Sequence, residues 1–425
     1  MKERLIIGLD LGSSRIRIAV GQLSVGTDKQ VRLNLIGATE VSSQGIAKGN
    51  ITALEDAVSA ISSCLEQAER MIGMPLPEAT VGLGGTTISS QDAKGVIGVS
   101  RTDGDIRPED VARVVEAAKA LVNPANQDIL HILPRSFTVD GQIGIKDPIG
   151  MQGIRLEVDA VIVQGLSSQV RNITKAVFRT GLDISYLVYA PLATAEAICT
   201  TRQKELGVCV LNIGAATTGV AVYENGELLK AVTIPLGADH ITSDIAIGLK
   251  IALDAAENIK VMHGTANPET LPKRGADIDL IDYGSGQSEI VPLRYVSEII
   301  EARVEEIFER VDAELKKIDR QGMLPAGIIM TGGGAKLPGM VEVGKRVLKL
   351  PCAYGVTQNM TSSMPELVED PAYSTAVGLV LWTFENERRE QDSVLSAIGG
   401  LGSKGTQLLS KLGSPIKKIF KSFMP

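Results

Sequence analysis

Two stretches decide the fold: IIGLDLGSSRIRIAV, Ile6 to Val20, and VCVLNIGAATTGVAV, Val208 to Val222. They lie 202 positions apart and match without a gap, so Asp10 falls on Asn212, Gly12 on Gly214, and Ile18-Ala19-Val20 on Val220-Ala221-Val222. Each runs from an apolar strand through a glycine turn of small and hydroxyl residues into a second strand, the pattern of a β-hairpin. Small residues at the turn let backbone N–H groups approach an anion, and an Asp at a strand end can hold a hydrated divalent ion. One such hairpin is more often a plain tight turn. Two of them, opening the two halves of one chain, predict a duplicated phosphate-binding core.

A third glycine element follows in AGIIMTGGGAKLPGM, Ala326 to Met340. It reads as an apolar strand, a glycine step at Gly332-Gly333-Gly334, and a helix from about Leu337 to Leu350. Alone it is a strand-to-helix turn; beside two phosphate-type hairpins it suits a purine lying on bare backbone. These three elements resemble the actin, Hsp70 and sugar-kinase ATPase superfamily, whose fold places a nucleotide between two α/β domains. DAAENIKVMHG, Asp254 to Gly264, sits where that family has a helix contacting ribose and base. Glu257 and Lys260 share a helical face at i, i+3 spacing, which fits either a sugar contact or a surface salt bridge. The resemblance implies ATP and Mg²⁺ as ligands. The nucleotide set it implies is Gly12, Ser13, Ser14 and Arg15; Asn212, Gly214, Ala215, Thr217 and Thr218; Gly237, Glu257 and Lys260; and Gly332, Gly333, Gly334 and Lys336. Asp10 would hold Mg²⁺ through water.

At 425 residues the chain exceeds the size of one hydrophobic core, and with 44% hydrophobic and 22% charged residues it is globular. Aromatics make up only 3%, so the cores must be aliphatic. Cys64, Cys199, Cys209 and Cys352 form no CxxC pair, and His131, His240 and His263 are scattered, which points to reduced core thiols rather than zinc. MKERLIIGLD meets charge and glycine too soon for a secretory signal, and no apolar run would span a bilayer; the expectation is a cytosolic protein. Thr52-x-x-Glu55 reads as a capping box opening a helix with Leu54, Val58, Ile61, Leu65, Ala68 and Ile72 on one stripe. Further helices are expected from Pro108, from Ser167 to Gly181, and from about Arg294 to Leu315.

Longer blocks narrow the resemblance. HILPRSFTVDGQIGIKDPIGMQGIRLEVDAVIV (His131 to Val163), ELGVCVLNIGAATTGVAVYENG (Glu205 to Gly226), ITSDIAIGL (Ile241 to Leu249) and DPAYSTAVGL (Asp370 to Leu379) are together similar to the FtsA family of bacterial cell-division proteins. That resemblance implies an α/β, actin-like two-domain ATPase fold with an inserted 1C subdomain. Subdomain 1A would comprise 1–82, returning at 164–197 and about 359–388; 1C would be 83–163; 2A would be 198–236 and 304–358; 2B would be 237–303. Implied partners are the C-terminal peptide of the tubulin-like FtsZ, other copies of the chain in filaments, and further division proteins. Arg303 matches a basic residue of the FtsZ contact, although an arginine on a helix is ordinarily only solvated.

Two departures bear on chemistry. Hydrolysing relatives keep an Asp in both phosphate turns, but the second here is Asn212. They also place a Glu before a Pro-x-Ala-Ala stretch, where APLATAEA has Ala190 before Pro191. Losing both removes metal charge and water positioning, so little or no ATP hydrolysis is expected. The competing readings are a carbohydrate or acetate kinase, which would need a general base and has no use for a basic tail, and a PilM-type pilus-assembly ATPase.

The overall charge of −7 is uneven. After Asp392 come five lysines (404, 411, 417, 418, 421) and no acid; removing them leaves the body at −12, which argues against nucleic acid. Within GSPIKKIFKSFMP, Ile416, Ile419, Phe420 and Phe423 recur on one helical face, with Lys417, Lys418 and Lys421 beside and behind them. About ten helical residues reach only ~15 Å, enough to lie on an anionic membrane and too few to cross it. Glycines at 399, 400, 402 and 405 suggest that residues 389–412 form a flexible linker, and 413–425 a membrane-targeting amphipathic helix. One such foot binds weakly, and a polymer of them binds by avidity. The expected place is the cytoplasmic face of the membrane at the division septum.

Overall fold

The computed structural model describes residues 4–25, 31–100, 103–120, 122, 126–272, 276–284, 288–358, 360–362 and 364–399, the last helix with side chains to residue 388. The linker from residue 400 and the basic segment 413–425 lie outside the described residues. The chain divides into two compact units, Met1–Leu381 and Trp382–Pro425.

Both hairpins form as the repeat requires. Arg4–Leu11 pairs antiparallel with Arg15–Val25, and Val208–Ile213 with Thr218–Glu224, in equivalent registers: Asp10 faces Arg17 and Asn212 faces Gly219. The duplication extends beyond the matching residues. Around the first hairpin the strand order is Asp183–Tyr189, Glu78–Leu83, Arg4–Leu11, Arg15–Val25, Val31–Ser42. Around the second it is Cys352–Tyr354, Gly327–Thr331, Val208–Ile213, Thr218–Glu224, Glu227–Ile234. In each set the first three strands are mutually parallel and the last two antiparallel. Parallel strands are buried on both faces, and Gly327–Thr331 is buried at every position.

The second sheet continues into an inserted unit formed by Ile88–Gly98, Arg155–Leu166, Gln127–Val139 and Gln142–Ile145, making nine strands in all. Helix Pro108–Ala120 packs on this extension through Val114 and Ala118 against Leu156, Val158 and Ile162. The seam is short. Val232 pairs with Ser89, the Ser90 hydroxyl donates to the Ala231 carbonyl at 2.7 Å, and it accepts the Ala231 N–H at 3.0 Å. Arg135 reaches across to the carbonyls of Leu228 (2.8 Å) and Leu229.

Helices Ser167–Phe178 and Leu293–Lys316 lie where periodicity places them, the latter burying Val296, Ile300, Val304, Ile307, Phe308, Val311 and Leu315. Three expectations are corrected. Thr52 and Glu55 form no capping box: the helix is Leu54–Ile72 with Ala53 at its N-cap and no side-chain cap. The Gly45 carbonyl accepts the N–H groups of Thr52 and Ala53 instead, and both Glu55 oxygens take the Arg179 guanidinium at 2.6 and 2.9 Å. The helix after the glycine step is Met340–Leu348, not one starting at Leu337. A 3₁₀ turn, Gly333–Lys336, comes first, and Gly339 at φ +86° restarts the chain after Pro338. Finally, helix Ser374–Gly399 runs through the start of the expected linker at 389, because helix formers continue from Glu385 to Gln391 and the glycine break comes only at 399 and 400. All four cysteines are buried free thiols. Among the described residues no helix is long and apolar enough to cross a membrane.

Candidate functional site

The turns of the two hairpins face one cavity of about 610 Å³, within the range of small-molecule sites. It lies wholly in the first compact unit. Each turn is tight for the same reason. A Cβ on Gly12 would meet the Arg15 carbonyl oxygen at 2.5 Å, and one on Gly214 the Thr217 oxygen at 3.0 Å, with 15 and 217 again 202 apart. Asp10, Gly12, Ser13, Ser14 and Arg15 line the cavity from the first turn; Asn212, Gly214, Ala215 and Thr217 line it from the second. The glycine step supplies Gly332, Gly333, Gly334 and Lys336. Gly332 sits at φ +90°, where a Cβ would lie 2.5 Å from the Ile213 oxygen, so the step is pressed directly on the second hairpin.

Two expected residues are elsewhere. Thr218 is fully buried, its hydroxyl donating to the Leu236 carbonyl at 2.8 Å. Gly237 lies behind the second turn, where a Cβ would come within 2.6 Å of the Gly214 oxygen. It supports the turn from outside the cavity and starts helix Ala238–Leu249.

Helix Leu253–His263 presents Glu257 and Lys260 to the cavity, with the lysine buried and the glutamate half-exposed. Lys260 is 8% exposed, and its Nζ donates to Glu257 Oε2 (2.6 Å), Thr242 Oγ1 (2.7 Å) and the Ala238 carbonyl (3.3 Å). A buried ammonium with three acceptors is fixed in place. Burial pushes the Asp10 carboxyl up to about 6, against the pull of Arg17, which is itself held by Glu40 at 3.0 Å. Lys336 pairs with Asp370 at 2.9 Å. Burial raises the Asp370 carboxyl, but the Ala372 N–H and Lys336 outweigh it and hold the group below the ordinary range.

The Asn212 amide is taken by two threonines: Nδ2 donates to Thr375 Oγ1 at 2.7 Å and Thr194 Oγ1 at 3.3 Å. Ala190 and Pro191 line the cavity with no carboxylate at that point. Arg303 is not among the residues that line it. Its fork is taken by both oxygens of Asp244, at 2.6 and 2.9 Å, and by Glu306.

Several lining residues carry little mark in the sequence, among them Arg17, Gly49, Gly84, Gly85, Asp239 and Thr375. Gly84-Gly85 is a glycine run that could have been flagged. A Cβ on Gly49 would lie 2.5 Å from the Gly84 carbonyl, so this wall consists of backbone against backbone.

The chain matches the family model described as cell division protein FtsA over residues 209–378, and that of the SHS2 domain inserted in FTSA over residues 85–164. It is 37% identical over 389 residues to the cell division protein FtsA of Bacillus subtilis (strain 168), covering 91% of this chain and 85% of that protein. Among solved structures it resembles the PilM–PilN type IV pilus biogenesis complex with a TM-score of 0.63 at 16% identity, over 88% of this chain and 97% of that one. It also resembles MreB 5 of Spiroplasma citri bound to AMPPNP, with a TM-score of 0.53 at 13% identity, over 92% and 99%. These two likenesses establish a shared actin-like fold.

Proposed function

The chain belongs to the FtsA family of cell division proteins, and from that premise we propose that it is an ATP-binding, filament-forming adaptor that holds FtsZ filaments to the cytoplasmic face of the membrane at the septum. The observation that carries the nucleotide part is the convergence of both hairpin turns, the Gly332–Gly334 step and the Glu257–Lys260 pair on one cavity. The residues fit the ligand. Backbone at the two turns is open to an anion, bare glycine offers a flat face to a purine, and Lys260 and Glu257 are held ready for a sugar. Mg²⁺ would be held through water by Asp10, whose buried carboxyl a cation would keep ionised.

Slow or absent hydrolysis is part of the proposal. Asn212 is neutral and engaged with two threonines, and the cavity wall at Ala190 offers nothing to orient a water. Membrane attachment rests on the sequence of 413–425, and FtsZ binding on the family. The Asp244–Arg303–Glu306 cluster gives that partner a polar target in place of a free guanidinium.

The test is sedimentation with anionic liposomes and ATP–Mg²⁺, using the full chain and a chain lacking 414–425, followed by added FtsZ. Loss of liposome binding on truncation, and co-sedimentation of FtsZ only with the full chain, are expected. Binding that survives truncation overturns the membrane reading, and failure to bring down FtsZ overturns the adaptor reading. Turnover of order 1 s⁻¹ or faster, the range of working phosphotransferases, overturns the non-hydrolysing reading.

A further inference from the structure

Behind the second phosphate turn the direction of each hydrogen bond follows from counting protons. The Thr194 hydroxyl gives its one proton to the Ala190 carbonyl at 2.9 Å. Thr375 Oγ1 lies 3.0 Å from Thr194 Oγ1, and since Thr194 has no proton left, Thr375 is the donor. Both hydroxyl protons are then committed, and the two oxygens retain only lone pairs. Asn212 Nδ2, with two protons, donates to both. Thr194 and Thr375 are 0% and 3% exposed. Thr194 stands on the helix Ala190–Ile198 that connects the two halves, and Thr375 on the helix that packs against Gly8 of the first hairpin. A second tie lies alongside: Thr331 Oγ1 and the Gly332 N–H both donate to the Pro371 carbonyl, at 3.0 and 3.1 Å.

We infer that Asn212 is a positioning residue: its amide clamps the second phosphate turn to the connecting and first-half helices and closes the back of the cavity without a metal ion. A carboxylate at 212 has no proton to give. To be held there it must draw the Thr375 proton away from Thr194 Oγ1, which leaves the buried Thr194 oxygen with no donor from either neighbour, or the side chain must leave the cluster. The exchange of Asp for Asn between the two turns therefore does more than remove a charge. It replaces a group that needs a cation with one that completes a protein network. The metal dependence of the clamp, unlike the clamp itself, rests on the nucleotide reading above.

The experiment uses the full chain as wild type, Asn212→Asp, Asn212→Ala, Thr375→Val and Thr375→Ser. Amide hydrogen exchange is measured without nucleotide, and binding of a fluorescent ATP analogue is measured in Mg²⁺ and in EDTA. Asn212→Asp, Asn212→Ala and Thr375→Val should each speed exchange in 208–214 and 371–378 by about tenfold, as expected for a lost buried hydrogen bond. Thr375→Ser, which keeps the hydroxyl, should exchange as wild type does. Asn212→Asp alone should widen the ratio of affinities between Mg²⁺ and EDTA, by about tenfold. Wild-type exchange in Asn212→Asp and Thr375→Val overturns the clamp. An unchanged metal ratio in Asn212→Asp reduces Asn212 to an ordinary structural tie and overturns the positioning role. If the wild type binds no ATP analogue, the nucleotide reading falls while the exchange data still decide the clamp.

Discussion

Gly332 and Gly333 are neighbours with opposite constraints, and substituting each in turn separates folding from binding. At Gly333 a Cβ would meet nothing within 4 Å, and the backbone is not in the left-handed region, so Gly333→Val should change stability by no more than about 0.5 kcal/mol. Its side chain would project into the cavity over the surface assigned to the purine. A base in van der Waals contact with bare backbone would be displaced by more than an ångström, losing much of its dispersion contact. We expect ATP affinity to fall about 100-fold, or roughly 2.7 kcal/mol. Gly332→Ala meets both penalties that Gly333→Val avoids. A left-handed φ costs an alanine about 1–2 kcal/mol, and the collision with the Ile213 oxygen brings the total to about 3 kcal/mol. Denaturant midpoints and titration with a fluorescent ATP analogue in Mg²⁺ measure the two effects. Wild-type affinity in Gly333→Val would refute the placement of the purine. Stability in Gly332→Ala within 1 kcal/mol of wild type would refute the backbone argument.

Lys260→Met removes the ammonium that holds Glu257 and Thr242, and should cost about 1–3 kcal/mol of stability together with at least tenfold in ATP affinity, read by the same two measurements. His131 accepts the Tyr189 N–H at 3.0 Å, and burial lowers its titration to about 4, below the ordinary 6.5. The folded state therefore prefers neutral His131. Its contribution is fully present above pH 6.5 and is lost as pH falls towards 4, so His131→Gln should flatten the stability profile over that window in denaturant titrations. Arg303→Ala leaves Asp244 and Glu306 without their shared cation and should lower stability by about 1 kcal/mol, discounted for partial exposure. Adding Asp244→Ala should recover part of this in a double-mutant cycle; strict additivity would show that the pair is uncoupled.

The duplicated hairpins were legible because a turn needs particular residues at particular places, and both copies kept them. Gly327–Thr331 was legible too, because the glycine step marks its end; most of the other strands were not, since a buried strand such as Glu78–Leu83 requires only apolar bulk, which any of several sequences supplies. The glycines and carboxylate of the cavity could be named from local pattern. Arg17, Gly49 and Thr375 could not, because their place in the wall is set by how distant segments meet. The same limit explains the capping error at Thr52 and Glu55: the Gly45 carbonyl and Arg179 satisfy these groups from outside the local window. Lys260 shows the converse. Its spacing from Glu257 was readable, but only its burial tells a fixed network from a solvated pair.

The seam at Ser89 and Val232 has a mechanical consequence. Hydrogen bonds across antiparallel strands share a force applied along the strands but break one after another when the strands are pulled apart sideways. Here one backbone pairing, the Ser90 exchange with Ala231, the Arg135 fork and a Lys146 bond to the Asn225 carbonyl join the inserted unit to the sheet. Within the halves, Arg4–Leu11 meets Arg15–Val25 along eight paired positions. Under lateral tension the sheet should part first at the seam, leaving the inserted unit held to the first half by the His131–Tyr189 bond while both hairpins, and the cavity between them, stay whole.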